Sequence, residues 1–141
     1  MNNVSMAESY VKQARERLHH AEEALQRGSY PYVIRQSQEA VELSLKAALR
    51  FVGIEPPKWH DVGPILRQNP DRFPGWFRQG IPGYASVSRR LRREREPSMY
   101  GDEETGLPPE EMYTKEDAEE ALGSAKKIFE ACKELLEKRG R

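Results

Sequence analysis

YPYVIRQSQEAVELSLKAALRFVGIEPPKWHD, residues 30–61, is the stretch whose reading decides the fold. Apolar or small side chains fall at Val33, Ser37, Ala40, Ser44, Ala47 and Phe51, and a second row runs through Ile34, Val41, Leu45, Ala48 and Val52. Steps of three and four residues place both rows on one broad helical face. A face that wide needs neighbours on more than one side, so residues 31–52 are expected to form the central helix of a bundle. Pro31 suits its first turn, where a missing N–H costs nothing, and Gly53 follows its last turn. The remaining sector carries Arg35, Gln38, Glu39, Glu42, Lys46 and Arg50, with Glu42 and Lys46 in the favourable i,i+4 order. Solvation explains such a stripe. On a central helix with little surface left for water, a groove wall or a dimer seam explains it as well.

Working outward, Met6, Tyr10, Ala14, Leu18, Ala21 and Leu25 recur at helical steps and predict a first helix over residues 5–27, stopped by Gly28. The short turn that follows makes the first two helices an antiparallel hairpin. His19 and His20 are adjacent and point about 100° apart, too divergent to share a metal easily, and read as solvated. Beyond the central helix, Pro56 and Pro57 enforce an extended connection. Asp61 is a candidate cap for a brief helix through Val62, Ile65 and Leu66 that Pro70 closes. His60 stands at that helix entrance, available either for chemistry or for a structural role. Residues 69–83 mix Pro and Gly with Phe73, Trp76 and Phe77 and predict a partly helical connector packed through its aromatic rings.

Tyr84, Val87, Leu91 and Arg95 mark a fourth helix, which holds five arginines in residues 89–95 and which Pro97 bends or ends. Residues 102–112 are acidic and rich in Gly and Pro, and are expected to be exposed and mobile. Thr114 with Asp117 three residues on predicts a capping box. A last amphipathic helix follows through Ala118, Leu122, Ala125, Phe129, Cys132 and Leu136, ended by Gly140. No strand-like alternation of useful length occurs. The fold class is therefore all-α, an up-and-down bundle of four to five helices forming one domain over residues 1–141.

A chain of 141 residues can bury a core without disulfides or metal. Its single cysteine, Cys132, lies on the apolar face of the last helix and reads as a buried thiol. With 23 basic and 23 acidic side chains, total charge points to no nucleic-acid partner, and local clustering must carry that argument. The N-terminus lacks a basic segment followed by an apolar run, and no stretch approaches the ~18 apolar residues of a membrane span. A cytoplasmic protein without a membrane partner is expected.

Phosphate-loop, dinucleotide, zinc-protease and nucleophile-elbow signatures are absent. Three candidates remain. Arg89, Arg92 and Arg93 form a basic flank suited to phosphate contacts, with a salt-bridged face opposite the acidic residues 102–104 as the competing reading. Arg95, followed by Tyr100 and Asp102, offers a guanidinium beside a phenol and a carboxylate, which can orient a phosphodiester. An internal Arg95–Asp102 pair is the alternative. The third candidate is the stripe Arg35, Gln38, Glu42 and Lys46.

The run QSQEAVELSLKAALRFVGIEPPKWHDV at residues 36–62, the segment REPSMYG at 95–101 and the closing YTKEDAEEALGSAKKIFE at 113–130 together resemble a HEPN domain. The resemblance implies a small helical bundle that dimerises and is often encoded beside a minimal nucleotidyltransferase, as toxin and antitoxin. Active members are metal-independent endoribonucleases whose Arg-x4-6-His motif closes the fourth helix and meets its symmetry mate in the dimer cleft. Here Arg95 takes the arginine position, but Tyr100, Gly101 and Asp102 follow where the histidine is expected. A phenol carries protons poorly at neutral pH.

The expectation is a homodimeric nucleotide- or RNA-binding subunit acting with a nucleotidyltransferase partner, without strong catalysis, metal or cofactor. Its catalytic candidates are Arg95 and Tyr100. Its nucleotide or RNA contacts would come from Arg35, Glu42, Lys46, His60, Arg89, Arg92, Arg93 and Asp102. The alternatives are an endoribonuclease toxin using Arg95 with Tyr100 or His60, and a purely structural dimeric interaction module.

Overall fold

A computed structural model describes residues 3–58 and 61–138. His60, a site candidate, and Gly140, the expected terminator of the last helix, lie outside the described residues. The chain forms α1 (Asn3–Gln26), α2 (Tyr30–Phe51), α3 (Gly63–Gln68), α4 (Gly75–Arg78), α5 (Ile81–Arg93), α6 (Pro97–Tyr100) and α7 (Lys115–Glu137), with 3-10 turns at Pro70–Arg72 and Pro109–Glu111. Among the described residues there is no strand, only an isolated bridge between Asp102 and Leu107. The all-α bundle is as expected: α1, α2, α5 and α7 are its long members, α3 is the brief third helix, and α4 and α6 are single turns.

The central position of α2 follows from its two apolar rows. Val33, Ala40, Leu45, Ala47, Ala48 and Leu49 are fully buried, and so are Ser37 and Ser44. α2 packs against α1 and α7, which also touch each other, and α5 and α6 rest on it as well. α1 contributes Ala7, Ala14, Ala21 and Ala24 to this core, and α7 contributes Ala118, Ala121 and Ala125. Dense packing of such small side chains leaves little room for enlargement.

The hairpin between α1 and α2 closes at Gly28, whose φ of 75° favours glycine. There the Ser29 N–H donates to the Ala24 carbonyl at 2.9 Å. The far end of α2 closes similarly, with the Ile54 N–H on the Leu49 carbonyl at 2.9 Å. Arg72 then donates to the Val52 carbonyl and ties the connector to that end. Within the connector, Phe73 and Phe77 stack at 4.8 Å between centroids and Tyr84 lies 5.2 Å from Phe77. The N-cap of α3 is Val62, one residue beyond the expected Asp61. Asp61 instead accepts from the Gly63 N–H at 3.1 Å and from the Ser88 hydroxyl at 2.6 Å, fastening α3 to α5.

The capping box of α7 is formed: the Asp117 N–H donates to Thr114 Oγ1 at 3.1 Å, and the Thr114 N–H donates to Asp117 Oδ2 at 3.0 Å. Thr114→Ala is expected to lower stability by about 1 kcal/mol, the usual cost of losing such a cap, measured as a lowered urea midpoint. Residues 103–108 are exposed as expected, and residues 102–107 fold into a hydrogen-bonded turn. The Asp102 N–H reaches the Leu107 carbonyl at 2.8 Å, and Asp102 Oδ1 accepts from the N–H groups of Glu104 and Thr105. Cys132 is fully buried, and burial pushes its thiol pKa upward. Among the described residues, no helix is long and apolar enough to cross a membrane.

Candidate nucleotide-binding cleft

α5 turns Ile81, Ala85, Ser88 and Leu91 toward the core, so Arg92 and Arg93 emerge in its last turn beside the exit. That placement also suits the helix dipole, whose negative end favours cations. Pro97 restarts the chain as α6 and carries Met99 and Tyr100 to the other side of the same opening. The result is a cleft of about 570 Å³ lined by Arg35, Arg92, Arg93, Arg95, Glu96, Pro97, Met99 and Tyr100. Arg35 comes from the polar stripe of α2, Arg92 and Arg93 from the basic flank and Arg95 and Tyr100 from the helix exit, so all three candidate regions contribute to it.

The backbone at Arg95 is pinned. Its carbonyl accepts from Arg35 Nη1 at 3.0 Å and from the Ser98 hydroxyl at 3.1 Å. Arg35 also pairs through Nε with Glu39 at 3.2 Å, and Glu39 in turn accepts from Arg17 of α1 at 3.2 Å. A continuous polar chain thus runs from α1 through α2 to the residue that the motif singles out. The Arg95 side chain is itself 46% exposed.

Below the cleft, Glu42 gathers its donors. Oε1 accepts from Gln38 at 3.0 Å and from Arg92 at 3.2 Å, and stands 3.9 Å from the Arg95 guanidinium. Oε2 accepts from Lys46 at 3.2 Å. The stripe predicted as a groove wall is therefore the floor of the arginine cluster, with Lys46 facing Glu42 beneath the lining residues.

Other candidates fall elsewhere. Arg89 is exposed one turn before the cleft and is not among its lining residues. Asp102 is occupied by its own turn, and Arg95 reaches toward Glu42. The arginines pair with Glu42 of α2 and, through Arg90, approach Glu120 of α7 at 4.0 Å. Among the described residues no histidine lines the cleft; His19 and His20 lie on α1. Ser98, Met99 and Glu39 were absent from the expected site. Of these only Glu39 left a signal, its i,i+4 spacing from Arg35.

A smaller groove of about 280 Å³ lies across α5, where Ile34, Leu91 and Tyr113 meet Glu94 and Glu120. The Tyr113 hydroxyl donates to Glu94 at 2.8 Å, and burial together with that bond raises its pKa, so it stays a neutral donor bracing the 109–113 segment.

An arginine cluster with an aromatic rim over a shared carboxylate can take up a phosphate and the base attached to it. The model of the HEPN domain family matches residues 7–135. The chain belongs to the HEPN domain family. Over 143 aligned residues this HEPN chain is 32% identical to "Putative toxin MJ1304" of Methanocaldococcus jannaschii, covering 97% of this chain and 92% of that protein. It is similar in structure to TT1696 from Thermus thermophilus, with a TM-score of 0.73 and 28% identity over 91% of this chain and 96% of the other. ST0689, an archaeal HEPN homologue, superposes with a TM-score of 0.67 at 28% identity, covering 92% and 97%.

Proposed function

We propose that this HEPN protein is a homodimeric nucleotide- or RNA-binding subunit that works with a nucleotidyltransferase partner and is at most weakly catalytic. One observation carries the binding part: Arg35, Arg92, Arg93 and Arg95, drawn from two regions far apart in sequence, line one open cleft. Guanidinium groups donate in forks that match phosphate oxygens, and Tyr100, 59% exposed at the rim, offers a face on which a base can stack. Weak catalysis follows from a proton carrier of the wrong kind, since a phenol stands where the motif has an imidazole.

The dimeric part is supported by exposed apolar groups beside the same opening. Met99 and Tyr100 are 45% and 59% exposed, and Leu107, bridged to Asp102 just beyond them, is 40% exposed. A second copy seated there would bring a second arginine cluster to the ligand. The nucleotidyltransferase partner rests on the family resemblance. The name of the archaeal relative favours a second reading, an endoribonuclease toxin in which Arg95 and Tyr100 act on the phosphodiester.

Titration of adenosine 5′-monophosphate and of a fluorescent single-stranded RNA into the wild type and Arg95→Ala tests binding. Loss of one charged hydrogen-bond donor is expected to weaken affinity about tenfold or more. Equal binding by both proteins sinks this site. Cleavage of the RNA by the wild type and not by the variant would move the account to the toxin reading.

A further inference from the structure

Glu42 presents a puzzle in a cleft built for anions. It places a full negative charge directly beneath the arginines, 3.2 Å from Arg92 and 3.9 Å from Arg95, and takes Lys46 as well. Two roles are open to such a carboxylate: it can hold the arginines in place for the ligand, or it can act as an internal anion against which the ligand competes. These roles predict opposite effects of removing the charge.

Geometry decides between them. Arg95 does not depend on Glu42 for its placement, because Arg35 and Ser98 fix its backbone and its side chain contacts Glu42 only at the outer limit of an ion pair. Arg35 is held by Glu39, and Arg93 is exposed at the end of α5. Only Arg92 pairs closely with Glu42 within the lining set. The carboxylate therefore orders little of the cleft while its charge reaches all of it. At about 6 Å in an open, water-filled cleft whose dielectric is close to that of water, one like charge lowers the affinity of a monoanion by roughly threefold.

We infer that Glu42 is a built-in counter-anion of the arginine cleft, which partly offsets the charge of Arg92 and Arg95 in the free protein and which an incoming phosphate must outcompete. The inference rests on the proposed phosphate-binding role of this cleft and adds to it a control on affinity and on ligand charge. Because repulsion from Glu42 scales with the charge on the ligand, the same residue penalises a phosphomonoester dianion more than a monoanionic diester. Glu42 thereby reduces the advantage that the arginines give a terminal phosphate over an internal phosphodiester.

The test compares wild type, Glu42→Gln and Glu42→Ala by calorimetry at about pH 8, where a phosphomonoester carries nearly two charges. The probes are adenosine 5′-monophosphate and adenosine 3′,5′-cyclic monophosphate, which share base and sugar and differ in charge. Both variants are expected to bind the cyclic monoanion about threefold more tightly than the wild type, and the dianion about tenfold more tightly, since the repulsion doubles. A merely structural role cannot yield that ratio, because a loosened cleft weakens both ligands alike. Unchanged or weaker binding by folded variants, with the wild type binding and Arg95→Ala not, overturns the role of Glu42 and leaves the phosphate site standing. Absence of binding by wild type and both variants overturns the inference and the phosphate site together. Thermal unfolding of each variant verifies that it is folded, and the carboxyl 13C resonance of Glu42 in the wild type gives a second measurement free of substitutions. It is expected to shift as either probe displaces it, and a stationary resonance under saturating ligand counts against displacement.

Discussion

Phe77→Ala is expected to destabilise the fold by about 3–5 kcal/mol, the usual cost of removing a large buried ring and leaving its cavity. Phe77 is fully buried, stacks on Phe73, meets Trp76 edge-on at 5.9 Å and touches Tyr84 at the start of α5. Neighbours held by helices on several sides cannot collapse far into the space, which places the cost in the upper part of that range. The substitution loosens the connector that sets α5 on the bundle, and hence the arginine helix. Equilibrium urea unfolding checks it, with Trp76→Ala as a comparison expected to cost less because that ring is 37% exposed. Equal losses at the two positions would mean that the aromatic cluster does not form the joint described above.

Gly101→Ala carries the second large effect, expected at about 2–4 kcal/mol. Gly101 has a φ of 75°, where L side chains are strained, and a Cβ there would overlap the Leu107 carbonyl oxygen and lie 3.1 Å from Pro108 and Pro109. The obstacle is backbone, so the turn at residues 102–107 must open and α6 must shift with it. Gly106 is an internal control, with the same φ of 75° and no atom within 4 Å of an added Cβ. Gly106→Ala is expected to cost only the backbone strain, about 1 kcal/mol. Unfolding midpoints for the pair separate the two contributions, and similar losses in both would remove the steric argument. The functional consequence follows from position: Tyr100 precedes Gly101 directly, so opening this turn displaces the rim of the cleft.

The bundle was legible because its long helices are regular. The two rows of α2, the three- and four-residue spacing along α1 and α7 and the Thr114–Asp117 cap are local patterns, and local hydrogen bonding and burial realise each of them as the spacing implies. The short segments were harder. The sequence at Pro97 implies a bend or an end, but α5 already stops at Arg93, and Pro97, which suits a helical first turn, opens α6.

For the site, residue types were legible and partners were not. The arginine run and the α2 stripe announced cationic and mixed surfaces, but the bond from Arg35 to the Arg95 carbonyl spans 60 residues and has no sequence signature. Glu42 illustrates the same limit. Its i,i+4 link to Lys46 was evident from spacing, whereas its pairing with Arg92, 50 residues away, depends on how α5 lies across α2. Asp102 was drawn toward Arg95 by charge alone, and backbone N–H groups nearer in sequence claimed its carboxylate instead.

The central claim, that the arginine cleft takes up phosphate, is tested most directly by the salt dependence of single-stranded RNA binding. Each phosphate neutralised contributes a slope of about −0.7 in log K against log salt, so three or four contacts predict a total of roughly −2 to −3 for the wild type. Arg95→Ala should weaken binding and flatten that slope by about 0.7, the share of one contact. A wild-type slope near zero, or one that Arg95→Ala leaves unchanged, would contradict the account.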